Sequence, residues 1–125
     1  MPQAVQTRSC SPRRLTTSAI SEWRAVWLVV MFDLPMVSKS EKRQYARFRS
    51  LLFDEGFSML QFSVYGRHHA TRERAEATVR RIVRRLPKGE IRVLRVTEAQ
   101  FARMEVFSNF DRRPPESAPS QLELW

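Results

Sequence analysis

An α+β fold, in which two helices cover one face of an antiparallel sheet, is predicted for this 125-residue chain from three observations. Runs rich in Val or alternating in polarity mark strands, apolar residues at helical spacing fill two stretches between them, and cap or turn residues stand at most boundaries.

The first strand is read in "AVWLVVMFDLP", where eight apolar residues from Ala25 to Phe32 run into Asp33, Leu34 and Pro35. A continuous apolar run closed by Pro fits a strand buried on both faces, with Asp33 as the first polar group at its C-terminal end. A helix follows. Ser38 with Glu41 three residues on forms a capping box, and Gly56 supplies the stop. Tyr45, Phe48, Leu51 and Leu52 fall on its core face, while Lys39, Lys42, Arg43, Arg47 and Arg49 form a basic face offset only by Glu41. Five cations exceed what a solvated face requires.

In "FSMLQFSVYGRHH", Leu60, Phe62 and Val64 alternate with Met59, Gln61, Ser63 and Tyr65, the period of a strand. One set is expected under the helices and the other, mixing Gln, Ser and Tyr, on a semi-polar surface such as a protein interface. The run is long enough to serve as two successive strands with a kink at Gln61 to Ser63. Thr71 opens a second helix with Ala75, Val79, Ile82 and Leu86 inward and Arg80, Arg81, Arg84 and Arg85 outward. Four guanidiniums so close repel one another and point to an anionic partner. Pro87 to Gly89 turns the chain into a strand at Glu90 to Thr97. Glu98 to Met104 has the spacing of a short helical turn, and "EVFSNF" closes as a last short strand. Strand, helix, one bent strand or two, helix, strand is the ferredoxin-like βαββαβ arrangement. The uncovered sheet face is most simply closed by a second copy, giving a homodimer.

Three segments are expected: a disordered extension over 1–24, the ferredoxin-like domain over 25–108, and a tail over 109–125. In the tail, "DRRPPESAPS" reads as an extended linker. The final "QLELW" returns apolar residues, so Leu122, Leu124 and Trp125 are candidates for docking on a partner.

The charge balance, 22 Lys plus Arg against 13 Asp plus Glu, gives +9, and only Lys39, Lys42 and Lys88 are lysines. Arginine forks match phosphate oxygens in pairs, which favours nucleic acid as the partner. The lone Cys10 allows neither an intramolecular disulfide nor a Cys-based zinc site, in keeping with the cytoplasm. The longest apolar run is too short for a transmembrane helix, so no membrane role is expected. Residues 1–21, acid-free and rich in Ser, Thr and Arg, faintly resemble an organellar transit peptide, although a disordered tail or an early start codon fits better.

No Gly-rich phosphate loop, helical metal-binding histidine pair or nucleophile with a base stands out. His68 and His69 are neighbours on a strand and point to opposite faces, which argues against a shared metal. Asp33 remains as the candidate catalytic and metal-binding residue. One carboxylate is a poor Mg²⁺ site, but at a two-fold axis Asp33 of two chains would meet and a divalent cation would relieve their repulsion. The competing role for Asp33 is to cap the turn into Pro35 and the helix.

Taken together, "VVMFDLP", the basic helix, "GFSMLQFSVYGR", "IRVLRVTEAQFARM" and the Pro-rich tail ending in "QLELW" resemble the CRISPR-associated Cas protein two family, in the variety found beside type II systems. The resemblance covers about Trp27 to Phe107. It implies a ferredoxin-like homodimer that bridges two dimers of the integrase, Cas protein one, and binds the duplex DNA of a spacer precursor during spacer acquisition. It also implies Mg²⁺-dependent nuclease activity on single-stranded RNA or on DNA, with the carboxylate at Asp33 as metal ligand. The bridging role needs phosphate contacts without base reading, for which Lys39, Lys42, Arg43, Arg47, Arg80, Arg81, Arg84 and Arg85 are the candidates. The main role is then non-catalytic, with a metal-dependent endonuclease, toxin-like in character, as the alternative. An RNA-recognition module on the same topology is disfavoured, because Phe62 and Tyr65 fall on opposite faces of a strand.

Overall fold

The structure, a computed structural model, describes residues 25–119. Residues 1–24 and the docking candidates Leu122, Leu124 and Trp125 lie outside them. Strand β1 (Val26–Asp33) occupies an inner position in a four-stranded antiparallel sheet with β2 (Ser58–Gln61), β3 (Val64–His69) and β4 (Glu90–Thr97), in the order β2-β3-β1-β4. Helix α1 (Lys39–Asp54) joins β1 to β2, and α2 (Arg72–Val83) joins β3 to β4. This is the ferredoxin-like α+β arrangement expected from the sequence. Among the described residues no helix is long and apolar enough to cross a membrane.

The period of two in β1 divides it cleanly. Val26, Leu28, Val30 and Phe32 enter the core against Tyr45, Phe48, Leu51 and Leu52 of α1 and Ala75 and Ile82 of α2. The alternate residues face away from the helices, and of these only Trp27 is buried, stacked on Phe101 of the short helix α3 (Glu98–Ala102) at 3.9 Å between ring centroids. Val29 and Met31 are half-covered, so β1 is buried fully on one face and partly on the other.

Local chemistry sets the boundaries. At α1 the Glu41 N–H donates to Ser38 Oγ at 3.1 Å while the Glu41 carboxylate accepts from the Ser38 N–H at 3.0 Å, which satisfies two helix-end donors. The Ser38 and Val37 N–H groups donating to it hold the Glu41 carboxyl below its ordinary range. Gly56, with φ of 88°, ends the helix in the left-handed region. Thr71 caps α2, and a second capping box of Thr97 with Gln100 opens α3.

Three expectations are corrected. The break at Gln61 to Ser63 is a reverse turn rather than a kink: Gln61 pairs with Val64, leaving Phe62 and Ser63 as a two-residue loop with Ser63 at φ 62°. The turn resets the alternation, so Tyr65 is fully buried in the core and Phe62, grouped with the apolar set, is 72% exposed. Helix α2 stops at Val83, which leaves Leu86 beyond it and exposed. Finally, Asp111, read as the start of the linker, begins a strand: β5 (Val106–Ser108) and β6 (Asp111–Arg113) form a hairpin. Its tip has Asn109 and Phe110 at positive φ, a conformation for which only Asn gives a sequence hint.

Candidate carboxylate site and nucleic-acid interface

Asp33 ends β1 on the face away from the helices and is exposed. Among the described residues its carboxylate makes no hydrogen bond or ion pair. The helix after it is capped by Ser38 and Glu41, so capping does not occupy Asp33. Directly across in the β1–β4 register stands Glu90, a residue that sequence reasoning missed. Like charges at opposed positions destabilise a sheet, and among the described residues Glu90 finds a single ion-pair partner, Arg92 at 3.5 Å, both side chains being 69% exposed.

The approach of the two strands here depends on Gly89. Its φ is 130°, and a Cβ would lie 2.6 Å from Leu34 Cδ2 and 2.9 Å from the Asp33 carbonyl oxygen. Phe62 and Ser63 close the other side, tied to β1 by the Phe32 N–H donating to the Ser63 carbonyl at 3.0 Å. Asp33, Glu90, Arg92, Phe62 and Ser63 thereby share one open hollow of about 330 Å³. As a metal site it is small in donors: among the described residues no group of three or more His, Cys, Asp or Glu side chains converges. Two carboxylates fit Mg²⁺, which keeps most of its waters, and do not fit an ion that demands a full protein cage.

The opposite end of β1 is built differently. Glu98 Oε1 accepts from Trp27 Nε1 and lies 3.1 Å from His68 Nε2, so this acid is engaged twice. Burial lowers the affinity of His68 for a proton, against the pull of Glu98. His69 points to the core face, as its place next to His68 requires, and lies 2.9 Å from Thr78 Oγ1. Thr78 in turn donates to the Arg74 carbonyl, which leaves His69 Nε2 as the donor and its Nδ1 buried with no hydrogen-bond partner among the described residues. Burial pushes the His69 pKa down to about 4. The two histidines share no metal site.

On the helices, Lys39, Lys42, Arg43 and Arg47 of α1 are exposed, and among the described residues they form no ion pair. The same holds for Arg80 and for Arg84 and Arg85 just past α2. Arg43 with Arg47, and Arg80 with Arg84, stand four residues apart, where like charges are mutually unfavourable. Arg81 differs: its Nε donates to both Glu55 carboxylate oxygens at 3.0 Å, and that bond raises its affinity for its proton. Arg49 is also engaged, donating to the Tyr65 hydroxyl at 2.9 Å. Arg47 and Arg85 meet across a groove of about 420 Å³, with Gln44 and with Lys88, a cation the sequence reading left out. Lys39, Lys42, Arg43, Arg80 and Arg84 lie outside that groove.

Comparison with known proteins adds a family. The family model described as CRISPR associated protein Cas2 matches residues 26–104. A CRISPR-associated endoribonuclease Cas2 from Parvibaculum lavamentivorans is 44% identical over 101 residues, covering 80% of this chain and all of that protein. Proteins of the same name from Flavobacterium psychrophilum and Paracidovorax avenae are 43% and 36% identical, each over 85% of this chain and over 93% and 99% of their own lengths.

Proposed function

The chain belongs to the Cas2 family of CRISPR-associated proteins, and from that premise we propose that it acts in spacer acquisition, in the cytoplasm, as a homodimer that grips duplex DNA and bridges two integrase dimers. The observation that carries this reading is the set of cations that have no acidic partner among the described residues, seven in α1, in α2 and just past it, with Arg47, Arg85 and Lys88 converging on one groove. Guanidinium and ammonium groups so placed meet phosphates and read no base, which suits a protein that handles arbitrary sequences. The homodimer is supported by the sheet face away from the helices, where Val29, Leu60, Val64, Leu94 and Phe101 line an apolar groove of about 240 Å³ and Leu94 stays 47% exposed. The tail residues Leu122, Leu124 and Trp125 are proposed to dock on the integrase.

Titrating labelled duplex across salt concentrations tests the reading. Each neutralised phosphate adds about 0.9 to the slope of log K against log salt. A steep slope supports the backbone grip, and a nearly flat one removes it.

A second reading, metal-dependent cleavage of single-stranded RNA, is favoured by one observation, Asp33 facing Glu90 without a partner among the described residues, and by the name of the relatives. Asp33 and Glu90 would hold Mg²⁺, with Asp33 of the second chain completing the set. When bound, the ion would activate a water and stabilise charge on the phosphate. The chain's own part is to hold the two carboxylates opposite each other at fixed register. Cleavage by wild type with Mg²⁺, lost with EDTA and with Asp33→Ala, supports this reading; cleavage that survives Asp33→Ala contradicts it.

A further inference from the structure

Phe62 is left unexplained by both the DNA grip and the metal reading. It is an aromatic residue in a two-residue turn, 72% exposed, and turns ordinarily carry small or polar residues. Its ring is not loose. One face packs on Tyr45 at 5.9 Å between centroids and 21° between planes, and the Tyr45 hydroxyl is hydrogen bonded to Ser63 Oγ at 2.9 Å, so ring and turn are held together. With one ring face backed by Tyr45 and most of the side chain exposed, Phe62 also lines the hollow that contains Asp33, Glu90 and Arg92.

We infer that Phe62 is the platform of a subsite for an unpaired nucleobase, with Arg92 taking the adjoining phosphate. An open, pre-oriented aromatic face pays little ordering cost on stacking a base, and stacking tolerates any base because each has a π-face. A paired base is inaccessible to such a platform, so the subsite selects single strands. Arg92 is suited to the phosphate because its contact with Glu90 is long and exposed, hence readily exchanged. The inference rests on the second reading for its single-stranded substrate and adds the residues that would hold a base and its phosphate, yet it concerns binding alone and stands or falls without cleavage.

The test uses the full chain in EDTA, where cleavage is suppressed, with a short labelled single-stranded RNA, the corresponding DNA strand and the duplex of that DNA. Phe62→Ala is expected to weaken binding of the single strands by roughly five- to hundredfold, the range for loss of one stacked base. Phe62→Tyr and Phe62→Trp should retain the affinity, and duplex binding should not change. Sedimentation of Phe62→Ala should match wild type. Unchanged single-strand affinity, an equal loss on the duplex, or a smaller assembly in Phe62→Ala would each overturn the inference, the last by making Phe62 a contact between copies. Cleavage that survives Asp33→Ala removes the metal reading and leaves the subsite standing, whereas a Phe62→Ala protein that keeps full single-strand affinity removes the subsite whatever the cleavage result.

Discussion

The two ends of β1 on its helix-free face each carry an acid, and the acids are in opposite circumstances. Glu98 beside Trp27 and His68 is engaged by two ring nitrogens, in a cluster roofed by the stacked pair Trp27 and Phe101. Asp33 beside Glu90 is exposed, unpaired among the described residues, and confronted by a like charge. The first arrangement stabilises the fold; the second destabilises it slightly and leaves ligand capacity free. What satisfies a carboxylate distinguishes a structural acid from an available one better than its place at a strand end does.

The largest expected effect breaks the Asp33 end by backbone alone. Gly89→Ala forces a Cβ against Leu34 and the Asp33 carbonyl at positive φ, and overpacking with left-handed strain should cost about 3–5 kcal/mol, read by urea unfolding. Next is a pH test of the other end. His69 is neutral in the fold with a pKa of about 4 against 6.5 unfolded, so the unfolded chain binds the proton first. Stability is therefore full above pH 6.5 and falls by about 3 kcal/mol as pH drops to 4. In His69→Gln that slope should flatten; an unchanged slope would place the titration elsewhere. Glu98→Ala strands Trp27 Nε1 and His68 Nε2, for a loss of about 2 kcal/mol in the same assay, whereas Asp33→Ala should leave stability unchanged or slightly raised. Equal losses from the two substitutions would erase the contrast. The smallest effect is on DNA: replacing Arg47 and Arg85 together should lower the salt slope by roughly 2, while Arg81→Ala, already held by Glu55, should barely move it.

The elements were legible wherever local chemistry decides them. Ser38 with Glu41, Gly56, Thr71 and the period of two in β1 announce their structures within a few residues, and Asp33 follows from the place where an apolar run stops. What could not be read depends on non-local pairing. Glu90 faces Asp33 only because β4 lies beside β1 in one register, and Arg81 finds Glu55 26 residues away. The Phe62–Ser63 turn lacks the Gly or Asn that signals a hairpin, so the alternation reads as continuous through it and puts Tyr65 on the semi-polar face instead of in the core.

The most direct measurement is spacer integration into a repeat-containing plasmid by the purified integrase, with this protein, with Asp33→Ala, and with neither. Integration by Asp33→Ala at the wild-type rate, and none when the protein is omitted, is the expected result: the cationic helices bridge and the free carboxylate serves a separate purpose. An Asp33→Ala protein that binds duplex normally yet fails to support integration would contradict it.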